Sequence, residues 1–399
     1  MATVGVKRDE DSSRAGGPPS FLLTLARRYE PEVIDVPGGR ARIRLAVGSR
    51  DWDAVIDAGE LSIEPAAEDR DPDALLSAGP ATWRSIADDV RGGMDAFRAR
   101  KLSVRRNLHL GVGFLAATSG VTDPGRLRFS RVRTSCGELS MLEAGTGEPV
   151  LCLHGLGGTK ASFLSTVSAL ASEHRVIAVD LPGFGDSDKP ITGAYDPPYF
   201  ACAVTSLLDE LGLERVHLVG NSMGGRVALE VGLTAPERVE TLALLSPAVA
   251  WLRDRGWKWL LRLPVARLGL IQPTPRVIAE PIVRRIVPGG NEGWSAAGVD
   301  EFLRAFLTPS GRAAFYASAS NIYLDEPHGD DGFWTRLAAL APRSLFVWGR
   351  QDPLVPISFM RHVERALPAA SHLELDCGHV PQMERPRETH AAMLRHFRD

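Results

Sequence analysis

Val216-His217-Leu218-Val219-Gly220-Asn221-Ser222-Met223-Gly224-Gly225 is the stretch that decides how this chain is read. Val216 to Val219 form an apolar run of strand type, and an amphipathic helical pattern takes over from Gly225. Between them stands G-x-S-x-G at 220–224. A sharp strand-to-helix turn of this kind strains the backbone of the central serine and presents its hydroxyl. Glycines at 220 and 224 keep side chains out of the crowded bend. In an open α/β sheet the turn puts Ser222 at the C-terminal edge of the strands, where such sheets bind ligands. A glycine-rich turn holding an incidental serine reads the same over five residues, so the rest of the chain must decide.

Working outward, apolar runs suited to buried parallel strands recur at 150–153, 176–180, 216–220, 242–245, 344–348 and 372–375. Amphipathic helical stretches separate them, for example 199–211 and 226–234. Alternating strand and helix predicts a mostly parallel sheet with helices on both faces. The alternation stops between Pro247 and about Arg336. That segment is helical in pattern and holds five of the eight tryptophans (Trp251, Trp257, Trp259, Trp294, Trp334), which predicts a helical cap over 247–336.

Three further elements stand at predicted strand ends. His154-Gly155-Leu156-Gly157-Gly158 follows the strand 150–153. A tetrahedral oxyanion needs two N–H donors aimed at one point; Met223, after the nucleophile, and Leu156, in this loop, are the expected pair. Gly155 and Gly157 let the backbone approach the substrate, and His154 is expected to brace the loop. His379 lies in Asp376-Cys377-Gly378-His379-Val380-Pro381, after the last apolar strand. Serine is a weak nucleophile and needs an imidazole to take its proton. Asp352 follows the strand 344–348 and can orient that imidazole. The end of the strand 242–245 carries Ser246-Pro247 and no carboxylate, which favours Asp352. Of the other histidines, His362, His390 and His396 fall in helical stretches and are expected at the surface, and His372 lies in a strand.

Taken together these residues resemble the α/β-hydrolase superfamily, in its members with a helical cap, over residues 126–399. The resemblance implies an α/β-hydrolase fold and a triad of Ser222, His379 and Asp352. Asp180-Leu181-Pro182-Gly183-Phe184-Gly185-Asp186-Ser187 matches the family's loop after strand four. Epoxide hydrolases and haloalkane dehalogenases share that loop but use an aspartate nucleophile, and position 222 is serine. Gly220-Asn221-Ser222-Met223-Gly224-Gly225 is close to carbon–carbon bond hydrolases of aromatic degradation. Their pattern suggests a ring-contacting residue after the histidine, whereas Val380-Pro381 follows here. The expectation is therefore a carboxylic ester hydrolase (esterase or lipase) for apolar acyl or lipid-like substrates. The alternatives are a carbon–carbon hydrolase, lyase or acyltransferase on the same fold, and a non-catalytic lipid carrier.

The N-terminal third has a different texture. Residues 41–47 alternate, with Ile43, Leu45 and Val47 on one face and Arg42 and Arg44 on the other. The strands 52–57 and 60–64 flank an Ala58-Gly59 turn suited to a hairpin. Helices are expected at 80–90, with Trp83, Ile86, Ala87 and Val90 on one side, and near 108–117, with a strand through Leu102 and Val104. The runs Ala41 to Leu45, Trp52 to Leu61, Pro80 to Trp83, Met94 to Phe97 and Lys101 to Leu108 resemble the sterol carrier protein family. That resemblance implies a small α+β lipid-binding-like domain at 20–118, with an apolar tunnel and a possible lipid ligand. Residues 1–19 read as a flexible tail and 119–125 as a linker.

Composition sets the outer bounds. The chain has 399 residues and a net charge of −3. Five lysines leave 41 arginines, a skew expected of a GC-rich bacterial coding sequence. Runs such as Arg98, Arg100, Lys101, Arg105 and Arg106 read as solvated faces. Charge therefore points to no nucleic-acid partner. No run approaches the ~18 apolar residues of a membrane span. Cys136, Cys152, Cys202 and Cys377 show no metal or disulfide spacing. The expectation is a cytoplasmic enzyme with no cofactor and no metal.

Overall fold

A computed structural model of the chain describes residues 17–88, 96, 99–121, 124–249, 270, 275–286 and 293–399. Its contacts gather into two compact units: Met1–Ser130 with Gly289–Glu301, and Arg131–Pro288 with Phe302–Asp399. The tail at 1–16 and the tryptophans Trp251, Trp257 and Trp259 of the expected cap lie outside the described residues.

In the first unit, helices α1 (Ser20–Arg27), α2 (Pro80–Asp88) and α3 (Leu108–Ala117) accompany strands β1 (Arg40–Val47), β2 (Arg50–Asp57), β3 (Glu60–Pro65), β4 (Ala74–Ala78) and β5 (Leu102–Arg105). The sheet order is β3-β2-β1-β4-β5. β1 runs antiparallel to β2 and parallel to β4. Ala58 (φ 51°) and Gly59 (φ 83°) both take left-handed conformations in the β2–β3 turn, the geometry that matches strand twist in a two-residue hairpin. The apolar face of β1 (Ile43 and Leu45) is fully buried.

Its other face is not simply solvated. Arg44 stands opposite Asp53 on β2 and bonds its Oδ1 at 2.8 Å, while Arg42 bonds Oδ2 at 2.8 Å. Burial alone would raise the Asp53 pKa, but the hydrogen bonds from Arg44, the Ala67 N–H and Arg42 hold it below the usual carboxylate range. α3 is buried on every side, and Asn107 caps it by accepting the Leu110 N–H at 3.0 Å. Gly289–Glu301, inside the segment expected to be cap, groups with this unit. Asp300 accepts from Arg105 at 2.6 Å and from the Arg106 N–H at 3.0 Å, and Glu301 accepts the Leu108 N–H at 3.2 Å. A pocket of about 430 Å³ on the unit is lined by Arg40, Arg42, Arg70, Asp71 and Asp73 among others. Its lining is charged, unlike an apolar tunnel.

The second sheet has eight strands: β6 (Arg128–Thr134), β7 (Gly137–Ala144), β8 (Glu148–Leu153), β9 (His174–Val179), β10 (Val216–Asn221), β11 (Val239–Leu245), β12 (Arg343–Gly349) and β13 (Ser371–Leu375). Their order is β13-β12-β11-β10-β8-β9-β7-β6. From β13 to β9 every pairing is parallel, and β7 joins β9 antiparallel. The helices that follow in the chain are α4 (Leu164–Leu170), α5 (Pro197–Glu210), α6 (Met223–Thr234), α7 (Arg276–Ile286), α8 (Gly293–Phe306), α9 (Pro309–Tyr323), α10 (Phe333–Leu337), α11 (Met360–Ala366), α12 (Pro381–Glu384) and α13 (Pro386–Arg398). Every residue of β10 is buried, as a central strand covered on both faces must be. Trp334 of the expected cap stands edge-on to Phe333 and beside His362.

All four cysteines are free thiols. Among the described residues no helix is long and apolar enough to cross a membrane. His390 and His396, expected at the surface, are buried at 6% and 7% exposure. α13 lies against α4, and the His390 Nε2 meets the Thr166 hydroxyl at 3.0 Å. Burial pushes the His390 imidazole down to about 4. The folded state therefore prefers the neutral ring. Its contribution is full above pH ~6.5, the ordinary value, and drains away as the pH falls toward 4. Between pH 7 and pH 5 we expect His390 alone to remove about 2 kcal/mol of stability. Urea unfolding at the two pH values should show His390→Gln to be less pH-sensitive than the parent; an unchanged difference would refute the assignment.

Candidate active site

Ser222 stands at the C-terminal end of the central strand β10, at φ 53° and ψ −115°. For a residue with a Cβ this is strained backbone. A Cβ at Gly220 would lie 2.3 Å from the Gly224 carbonyl oxygen, and one at Gly224 would lie 2.1 Å from that of Leu153. Both positions thus exclude side chains, which is why the turn is glycine-flanked. The turn is tied down on both sides. The Ser222 N–H donates to Leu245 O at 3.0 Å, and its carbonyl accepts the Ala248 N–H at 2.9 Å.

The loop after β8 runs beside this turn. A Cβ at Gly155 would lie 3.2 Å from that of Ser222. His154 is fully buried; its Nε2 accepts the Leu181 N–H at 3.0 Å, so Nδ1 carries the proton and donates to Gly155 O at 2.8 Å. That ring braces the loop and is spent in doing so, and burial lowers its pKa. Gly157 (φ 73°) faces the Phe302 ring, 2.1 Å from where a Cβ would sit. Leu156 is half-buried, and Met223, the first residue of α6, has an N–H with no intrahelical acceptor.

The loops after β12 and β13 bring Asp352 and His379 together. The His379 Nδ1 lies 2.7 Å from Asp352 Oδ2, and both residues are buried. The other oxygen, Oδ1, accepts the N–H groups of Leu354 (2.8 Å) and Val355 (2.9 Å), which fixes the carboxylate. With Nδ1 so engaged, Nε2 is the nitrogen left to exchange a proton.

Four residues that the motifs did not single out complete the surroundings. Asn221 donates from one amide to both Leu245 O (2.9 Å) and His379 O (3.1 Å), joining the serine turn to the histidine loop. Glu384 accepts the N–H groups of Gly378 (2.8 Å) and Val380 (3.0 Å), clasping His379 from both sides. Tyr323, at the end of α9, is close enough to Ser222 and Asp352 for both to act on its phenol electrostatically. Burial, with Asp352 nearby, raises the Tyr323 pKa, so the phenol stays protonated. Arg226 of α6 bonds Glu230 at 2.7 Å and Asp325 at 2.9 Å, under the Phe333 ring at 4.5 Å. Arg336 also bonds Glu230. This buried network holds the chain just beyond Tyr323 onto the helix that begins at Ser222. Asn221 is the free position of the motif and Glu384 lies five residues past His379, so both could have been suspected. Tyr323, about 100 residues away in an unpatterned helix, could not.

The loop after β9 carries a second buried network. Lys160 Nζ lies 2.6 Å from Asp180 and 3.1 Å from Asp186, and Arg304 closes on Asp186 at 2.7 Å.

The chain is 32% identical over 271 residues to a dihydrolipoyllysine-residue acetyltransferase component of the acetoin cleaving system of Cupriavidus necator, covering 64% of this chain and 65% of that protein. It thus spans just under two thirds of that relative. It is 30% identical over 277 residues to a 2-hydroxy-6-oxononadienedioate/2-hydroxy-6-oxononatrienedioate hydrolase of Paraburkholderia xenovorans, covering 67% of this chain and 93% of that protein. Among solved structures, a thermophilic esterase from Thermogutta terrifontis superposes with a TM-score of 0.57 at 26% identity, over 68% of this chain and 98% of that one. Residues 148–386, more than half of the chain, match the family profile of the alpha/beta hydrolase fold, and the protein is a member of that family.

Proposed function

We propose that the chain is a serine-dependent hydrolase that cleaves a carbon–carbon bond next to a carbonyl, on a substrate resembling a 6-oxo-2-hydroxydienoate. One observation carries the choice of bond: the likeness at 30% identity runs through 93% of a hydrolase named for such a substrate. The sequence had favoured esters because Val380-Pro381 offers no ring contact after His379. That single missing side chain weighs less than the whole-length likeness.

Ser222 adds to the ketone carbon while His379 Nε2 takes its proton. The Met223 and Leu156 N–H groups donate to the resulting oxyanion, and Asp352 stabilises the imidazolium. The tetrahedral centre then expels carbon rather than oxygen. A carbanion leaves only if its charge is delocalised, so the dienol must first shift a proton from its 2-hydroxyl to C5; the departing carbanion then conjugates through the C3–C4 double bond with the new C2 carbonyl. His379 returns the proton to that carbon, and water releases the acyl group from Ser222. In this scheme the neutral Tyr323 phenol donates to the oxygen of Ser222 or of the substrate.

The deciding experiment follows ring-opened dienoates and aryl esters by absorbance with the same protein. The proposal expects dienoate turnover at a kcat/KM at least ~10-fold above any ester. Ester turnover alone would reverse it and establish the second reading, an ester hydrolase, which the esterase likeness supports. Ser222→Ala should lower kcat by ~10³-fold or more on either substrate. Tyr323→Phe should lower kcat about tenfold with KM little changed; a KM effect alone would make Tyr323 a packing residue.

For the first unit we propose lipid or acyl-chain binding, supported by its sterol-carrier-like sequence pattern. A photoactivatable fatty acid incubated with the full chain should label residues within 17–121, and labelling elsewhere alone would remove the idea.

A further inference from the structure

At the opposite edge of the second sheet, the N-terminal ends of three adjacent strands place three side chains together. Glu148 opens β8, His174 opens β9 and is its direct cross-strand partner, and His217 on β10 pairs with Val150, two residues along. Side chains two apart share a face, so all three converge, and their donor atoms lie within 4.8 Å of one another.

Each donor is suited to a metal. His217 Nδ1 lies 2.9 Å from the Thr241 hydroxyl, which orients the ring and turns Nε2 toward Glu148. Nε2 lies 3.3 Å from Glu148 Oε2. Two ligands of a tetrahedral ion with 2.0–2.1 Å bonds stand about 3.3 Å apart. His174 is 6% exposed, yet its Nδ1 has no hydrogen-bond partner. An unsatisfied buried imidazole calls for an explanation. The Phe397 ring stacks on His217 (4.4 Å between centroids) and meets His174 edge-on (5.6 Å), shielding the pair from water. Glu148, by contrast, is largely exposed and leaves a way in.

We propose that Glu148, His174 and His217 form a binding site for a borderline divalent transition metal, Zn²⁺ foremost, with a fourth position open to water. Two imidazoles and one carboxylate suit such ions and not Mg²⁺ or Ca²⁺, which demand oxygen. Ser222 lies five positions along the chain from His217, about 16 Å away. The metal is thus a structural or regulatory ligand, apart from the hydrolytic chemistry.

The test is calorimetric titration of ZnCl₂ into the chelator-stripped, tag-free full chain, with melting curves alongside. The proposal expects one equivalent bound at micromolar affinity or tighter, with a raised melting temperature. Glu148→Gln, at an exposed position that folding tolerates, should bind at least tenfold more weakly and retain hydrolase activity. His217→Gln should abolish the binding. Absence of stoichiometric Zn²⁺ in the folded parent, or equal affinity in Glu148→Gln and parent, overturns it.

Discussion

The backbone of Ser222 sits in a conformation that costs on the order of 1–3 kcal/mol and persists only because its surroundings over-determine it. The neighbouring strand β11 and the segment just after it supply the restraint. Leu245, at the end of β11, accepts both the Ser222 N–H and the Asn221 amide, and Ala248 donates back to the Ser222 carbonyl. The same Asn221 amide reaches His379. One short turn therefore sets where Ser222 points, where the imidazole loop lies and where α6 begins. Everything proposed about the chemistry inherits its precision from that knot of backbone bonds.

Much of this was readable before any coordinates. Asp352 and His379 could be paired because each follows an apolar strand in the order the chemistry requires, and β10 and α6 could be read from a change of period at the serine. The first unit was less legible. β4 (Ala-Leu-Leu-Ser-Ala) has neither alternation nor β-branched residues, and its strand state comes from pairing with β1. Asp300 and Glu301 serve residues almost 200 positions earlier, a relation that no local pattern encodes. His390 and His396 were misjudged because a short amphipathic helix does not announce which face is covered. Tyr323 was invisible for the same reason.

Among the described residues, buried charge is matched at several places. Asp53 sits between two arginines, Asp180 beside Lys160, and Glu230 between Arg226 and Arg336. Such groups add little net stability relative to apolar packing, but removing one member strands the other in a poor dielectric. They act as positional pins. The Arg226 pin is of most interest because Asp325, which it also holds, is two residues from Tyr323.

Glu230 accepts from two guanidiniums at once and is 1% exposed. Losing Arg226 or Arg336 leaves Glu230 one guanidinium in place of two, and losing Glu230 leaves the buried Arg226 only the more exposed Asp325. Position 230 is therefore the least free of the three to change without a compensating change beside it, because it is the carboxylate that both guanidiniums share.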